Sequence, residues 1–224
     1  MRVSGHRPPR GVLFDVDGTL LDTTYIHAGC WVEALSQFGH DRPTERVHRA
    51  IGMGSAELFD LVLGGRPPQA ADIEAAHLTL YRQHWGRLRR LPGAADLVHA
   101  CAAAGRQVVL ASSASGEELT ALRAALDCDD VISVATSSAD VDASKPHPDI
   151  LDEALAQAGL NPEDAVFIGD AVWDGQAATK AGVAFIAVTC GGTTAAELRQ
   201  AGAIEVWADP ADLLAHIGQS RLMA

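Results

Sequence analysis

Short apolar runs rich in strand-favouring residues recur in the C-terminal part of the chain, at Gln107 to Ser112, Val131 to Ala135, Ala165 to Gly169, Ala184 to Thr189 and Ile204 to Ala208. Between them apolar positions fall three and four apart, the spacing of one helix face. Strand and helix alternating in this way predict a parallel sheet wrapped by helices. The helices carry their own punctuation. Ser115 with Glu118 and Thr194 with Glu197 spell capping boxes, and Gly159, Gly182 and Gly202 stand where helices should stop. One more strand, Gly11 to Val16, is predicted far ahead of the others.

The stretch from Thr23 to Arg90 has helical periodicity and no strand pattern. Ile26, Cys30, Ala34, Leu35 and Phe38 recur at helical spacing, as do Ile73, Ala76, Leu80 and Tyr81, with breaks at Gly39 to Pro43 and Gly64 to Pro68. This predicts an all-helical insertion. The chain starts a strand, leaves to build a helical lobe over residues 23–90, and returns near Leu91-Pro92-Gly93, so the sheet domain is discontinuous, over residues 1–22 and 91–224. The first ten residues read as a flexible leader.

At 224 residues with 48% hydrophobic content, the chain can bury a real core, which excludes disorder over most of its length. Lys and Arg number 17 against 29 Asp and Glu, a formal charge of −12. Such a surplus repels phosphate backbones and anionic headgroups, so nucleic acid and membrane surfaces are not the expected partners; Arg87, Arg89 and Arg90 make the one short basic cluster. No apolar run approaches the ~18 residues of a membrane span. Nor does the N-terminal stretch have the apolar segment of a secretion signal. Cys30, Cys101, Cys128 and Cys190 are scattered without a CxxC pair, which points to free thiols in a reducing cytoplasm. A monomer is the expected state, with a dimer left open.

In open α/β sheets ligands sit beyond the carboxyl ends of the strands, and four such ends carry chemistry here. The first ends in Asp15-Val16-Asp17-Gly18-Thr19, two acids one residue apart before a glycine that allows a sharp turn. Two ionised acids this close make sense around a divalent cation, and hard oxygens beside a phosphate suit Mg²⁺; a capped turn with solvated acids is the plain alternative. The second ends in Ser112-Ser113-Ala114-Ser115 before a helix N-terminus that attracts anions, or is simply capped. After the third comes Ser144-Lys145-Pro146-His147-Pro148, an ammonium in a stiff turn. The fourth ends in Gly169-Asp170-Ala171-Val172-Trp173-Asp174, two acids four apart as a helix begins.

Singly these groups are ordinary, but acid pair, hydroxyl, lysine and acid pair on successive strand ends form a specific order. On DVDGTL, the Ser112 turn, the Lys145-Pro146 turn and GDxxxD, the sequence resembles the haloacid dehalogenase-like superfamily of phosphohydrolases over nearly its whole length. The helical insertion falls where that family's first cap type falls. The resemblance implies an α/β fold, a Rossmann-like parallel sheet core with an inserted all-helical cap domain. It also implies a Mg²⁺-dependent phosphatase acting on a small phosphorylated metabolite through an aspartyl-phosphate. In it Asp15 would be the nucleophile, Asp17 the general acid and base, and Lys145 the bridge between nucleophile and phosphoryl oxygens. Asp15, the Asp17 main-chain carbonyl and Asp170 would hold the metal, with Asp174 as a further acid. Ser112 and the neighbouring Ser113 turn would bind phosphoryl oxygens.

The Asp17 side chain favours phosphoryl transfer, because carbon-halogen cleaving relatives lack this second aspartate. Phosphonate-cleaving relatives use a cap lysine, and residues 23–90 contain none. A β-phosphoglucomutase-type sugar-phosphate mutase and a non-catalytic phosphometabolite-binding protein are the rivals; the spacing from Asp170 to Asp174 resembles that of phosphoglycolate phosphatase-like members. His27 on the first cap helix is expected to contact substrate or position Asp17, unless it is a surface histidine. Gly52-Met53-Gly54-Ser55 is the expected substrate loop of the cap, a plain interhelical turn being the alternative; Gly52 and Met53 are its candidate contacts.

Overall fold

Six strands form one parallel sheet in the order β3-β2-β1-β4-β5-β6 in a computed structural model that describes residues 8–141 and 143–223. They are β1 (Gly11–Phe14), β2 (Gln107–Ala111), β3 (Ile132–Thr136), β4 (Ala165–Gly169), β5 (Ala184–Val188) and β6 (Ala203–Trp207). The side chains alternate between two cores, as strand pleating requires. Val12, Phe14, Val108, Leu110, Val166 and Ile168 enter one, against helices α5 (Ala94–Ala103), α6 (Gly116–Leu126) and α10 (Pro210–Ala215). Leu13, Val109, Phe167 and Phe185 enter the other, against α7 (Asp149–Ala158), α8 (Val172–Ala181) and α9 (Ala195–Gln200). β1 and β4 are buried throughout, so the two acidic strand ends stand side by side at the centre of the sheet, where the strand order reverses.

The stretch between β1 and α5 forms α1 (Thr24–Gln37), α2 (Thr44–His48), α3 (Ser55–Leu63) and α4 (Ala70–Arg82), with a 3₁₀ turn at Trp85–Arg87 and no strand among its described residues. These helices have their own core around Trp31, Leu35, Val47, Phe59 and Ile73. The apolar stripes divide the work. Cys30 and Tyr81 turn instead towards the sheet, joining Leu20, Leu21 and Leu88 in the first of its two cores, with Ile26 packed against it. The two chain segments entering and leaving the lobe are paired: Leu21 bridges Arg90, the Asp22 amide donates to the Arg89 carbonyl (2.9 Å) and the Leu91 amide to the Leu20 carbonyl (2.9 Å).

Both capping boxes are present, and Gly159 and Gly182 end α7 and α8 in the left-handed conformation. Gly202, with φ +105°, follows Ala201 at the end of α9. The first strand is shorter than its apolar run, ending at Phe14, because the Val16 carbonyl is taken by the amides of Leu20 and Leu21 (2.9 and 3.0 Å) in a tight turn. The flexible leader is corrected in part. Pro9 is buried and the Arg10 amide donates to the Asp164 carbonyl at 2.7 Å, so the backbone is fixed from there; residues 1–7 lie outside the described residues. No helix among the described residues is long and apolar enough to cross a membrane, and all four cysteines are free.

Phe167, fully buried beside Phe185, fills the core under β4. Phe167→Ala is expected to cost about 3–5 kcal/mol in urea unfolding, whereas Ser115→Ala, which removes only the α6 cap, costs about 1 kcal/mol.

Candidate active site

Strand β1 and the turn after it place the first acid pair. The Asp15 amide donates to the Ile168 carbonyl of β4 (2.8 Å), which fixes the Asp15 backbone beside the end of that strand. The chain then reverses at Gly18, φ +83°, where an added Cβ would lie 2.2 Å from Thr24 Oγ1 and 2.6 Å from Asp170 Oδ2. Only glycine permits both the conformation and the approach. The reversal sends the two acids to different neighbours. Asp15 faces Lys145, while the Asp17 carboxylate accepts from Thr23 Oγ1 at 2.6 Å and stands 3.2 Å from His27 Nε2.

Lys145 is fully buried, and its ammonium donates to Asp15 Oδ1 (2.5 Å) and Asp174 Oδ1 (2.9 Å). The other Asp174 oxygen accepts the amides of Asp170 (3.1 Å) and Ala171 (2.9 Å), so this acid both caps α8 and orients the lysine. Thr19 Oγ1 donates to Asp170 Oδ1 at 3.0 Å. Asp15, Asp170 and Asp174 each place a carboxylate oxygen within 4.8 Å of the other two. Three buried acids around one lysine leave an excess of negative charge. Burial pushes Asp15 up to about 7 against the pull of Lys145, with Asp174 and Asp17 adding to the rise. Burial, Asp174 and Asp15 push Asp170 well above the usual carboxylate range. Burial acts to lower Lys145, but Asp15 and Asp174 outweigh it and hold the ammonium charged.

Above this cluster lies a cavity of about 470 Å³ between sheet and lobe. Asp15 and Asp17 line it, as do His27, Gly52, Met53 and Ser113. The loop of Gly52 to Ser55 therefore lines the same cavity as the two acids. Gly52 adopts φ +96° and its carbonyl accepts from Ser113 Oγ (3.2 Å), while Gly54 is glycine for contact with the sheet domain: its Cβ would lie 2.7 Å from that of Ser144. Ser112 sits behind the described wall at this strand end, fully buried, its hydroxyl accepting from the Ala114 amide at 3.1 Å. That leaves its proton free to be donated.

His27 is no surface residue. It is buried, stacked on Tyr81 with ring centroids 3.9 Å apart, its Nδ1 3.2 Å from His77 Nε2 and its Nε2 3.4 Å from Glu118. Burial pushes Asp17 up and His27 down, each towards its neutral form, yet the pairing prevails: His27 is raised above its usual range and Asp17 is held below its own. His77, Tyr81, Thr19, Thr23 and the site role of Glu118 were missed from the sequence. Two signals were available: a histidine within the apolar Ile73 to Tyr81 stripe, and a capping-box glutamate directly behind the Ser113 turn.

A family model described as haloacid dehalogenase-like hydrolase matches residues 9–182. The chain belongs to this family. It is 31% identical over 208 residues to the phosphoglycolate phosphatase of Escherichia coli K12, an alignment covering 81% of this chain and 82% of that protein. Among solved structures, a hydrolase from Pseudomonas syringae is 30% identical with TM-score 0.90, covering 95% of this chain and 99% of that one. CbbY of Rhodobacter sphaeroides, solved with phosphate, is 26% identical with TM-score 0.75, covering 92% of this chain and 96% of its own. The protein is thus a phosphatase of the haloacid dehalogenase-like hydrolases.

Removing the cation strands two buried carboxylates. Lys145→Met is expected to lower stability by about 3–5 kcal/mol, read from urea unfolding at neutral pH.

Proposed function

We propose that this phosphatase hydrolyses a small phosphomonoester with Mg²⁺, through a phosphoryl group carried on Asp15. The observation that supports it best is the excess of buried carboxylate at the strand ends: with Asp15, Asp170 and Asp174 gathered around Lys145 alone, the cluster is one cation short. Its donors are all hard oxygens, which fits Mg²⁺. Asp15, the Asp17 main-chain carbonyl and Asp170 would hold the ion. Asp174, already engaged by two amides and Lys145, would keep those groups in place. When bound, Mg²⁺ would neutralise phosphoryl oxygens and so let an anionic nucleophile approach.

The side chains then divide the reaction. An Asp15 oxygen attacks phosphorus as the bond to the leaving oxygen breaks, with Lys145 beside that carboxylate to offset charge on the phosphoryl group. The Ser113 turn on the cavity wall would bind the remaining oxygens, with the buried Ser112 hydroxyl behind it holding the Ala114 amide of that turn. Asp17, steadied by Thr23 and by His27 Nε2 3.2 Å away, would deliver a proton to the departing alkoxide. In the second half Asp17 takes a proton from the water that releases phosphate from Asp15. Residues 1–22 and 91–224 act as the catalytic core domain and 23–90 as its cap, a division supported by the lobe's own hydrophobic core and the paired crossings at Leu21 and Arg90. The scattered free thiols and the acidic charge support a monomer in the cytoplasm.

Phosphate release from a panel of small phosphomonoesters tests this reading. Both EDTA and Asp15→Asn are expected to lower the rate at least about 10³-fold, and Asp17→Asn by about 10²–10⁴-fold. Unimpaired turnover by Asp15→Asn overturns the nucleophile assignment. Isomerisation of a sugar phosphate without net release would point to a mutase.

A further inference from the structure

The cavity is charged in a lopsided way. At its sheet end the cavity presents Asp15, with Lys145 bonded to it from beneath, and the Ser113 turn. Beyond that end the wall is acidic: the lobe contributes Glu57 from α3 and Glu74 from α4, and Glu118 of α6 faces them with His27 and His77. Among the described residues no lysine or arginine lines it. Glu74 has partners, Ser55 Oγ at 2.7 Å and Arg66 at 3.1 Å, the latter half exposed and no part of the wall. Glu118 is shared between His27 and the Ser115 amide. Glu57 is different: it forms no hydrogen bond or ion pair with a described residue, and its carboxylate folds back over Gly54, inside the substrate loop.

An anionic leaving group needs charge-assisted donors to offset its lost hydration, and Arg or Lys is the usual source. This wall has no lysine or arginine, its one cationic ring, His27, is already held between Asp17 and Glu118, and the remaining groups add like charge in a half-enclosed space, where repulsion is less screened than in bulk water. We propose that the cavity selects phosphomonoesters by the charge of the leaving group, favouring an alcohol that bears an ammonium, accepting one that bears only hydroxyls, and rejecting one with a second anion, with Glu57 as the residue that reads this charge. The proposal rests on the phosphatase reading above and deepens it to a substrate class.

Three probes of nearly equal size isolate the charge: O-phosphoethanolamine, ethylene glycol monophosphate and 2-phosphoglycolate. Wild-type kcat/KM with Mg²⁺ is expected to fall in that order, with at least a tenfold loss from the first to the last. Glu57→Gln should compress the span, and Glu57→Lys should shift preference towards 2-phosphoglycolate. The second substitution also guards against a folding artefact, since a misfolded variant loses all three activities and does not reorder them. Ligand-induced rises in the Tm of the wild-type protein give the same order without turnover. If no probe is hydrolysed but the Tm rises follow the order, the phosphatase reading fails and the charge selection stands. Fastest turnover or tightest binding of 2-phosphoglycolate overturns the selection while leaving the phosphatase reading intact, and so does an order unchanged in Glu57→Lys. A Tm unmoved by any of the three, together with no hydrolysis, overturns both.

Discussion

One buried ammonium governs the architecture of the site. Lys145 has no solvent to hydrate it, so it must be surrounded by carboxylate oxygens, and Asp15 and Asp174 supply them from the ends of two adjacent strands. The lysine enters from the turn after β3, which ties a third strand end to the same point. Asp174 extends the tie, because the oxygen not used by Lys145 caps α8 and holds the backbone of Asp170. A change in any of these groups is felt by the others, since all are buried and few bonds remain to be exchanged.

A second constraint joins the lobe to the sheet. Asp17 leaves the lysine cluster at the Gly18 reversal and is received by Thr23 and His27, the first residues after the chain crosses into the lobe. His27 in turn touches His77 from α4 and Glu118 from α6, so Asp17 is held by both bodies at once. Peripheral contacts support this seating: Arg82 pairs with Glu117, Arg49 with Glu197, and Trp173 Nε1 donates to the Arg49 carbonyl at 2.9 Å. Tyr81 of the lobe stacks on the His27 ring and also joins the core of the sheet domain beside Leu20 and Leu21. In this arrangement the cavity is walled by both bodies.

The sequence by itself determined the sheet, the helical insertion and the strand ends where the acids, the serines and the lysine gather. Strand periodicity, capping boxes and acids followed by glycine are local signals: each depends on a few neighbouring residues whose backbone preferences hold wherever they sit. Asp15, Lys145, Asp170 and Asp174 could therefore be found from position and order alone. Only the tertiary structure decided how the two acids of the first turn part company, that Ser112 lies behind the wall and Ser113 on it, and that Cys30 and Tyr81 serve the sheet domain and not the lobe. It also brought together His27, His77 and Glu118, which lie on three different helices. Helical spacing shows that a residue belongs to a buried face but not which body that face meets. That choice is made by the docking of lobe on sheet, an interaction between residues tens of positions apart that no short stretch of sequence contains.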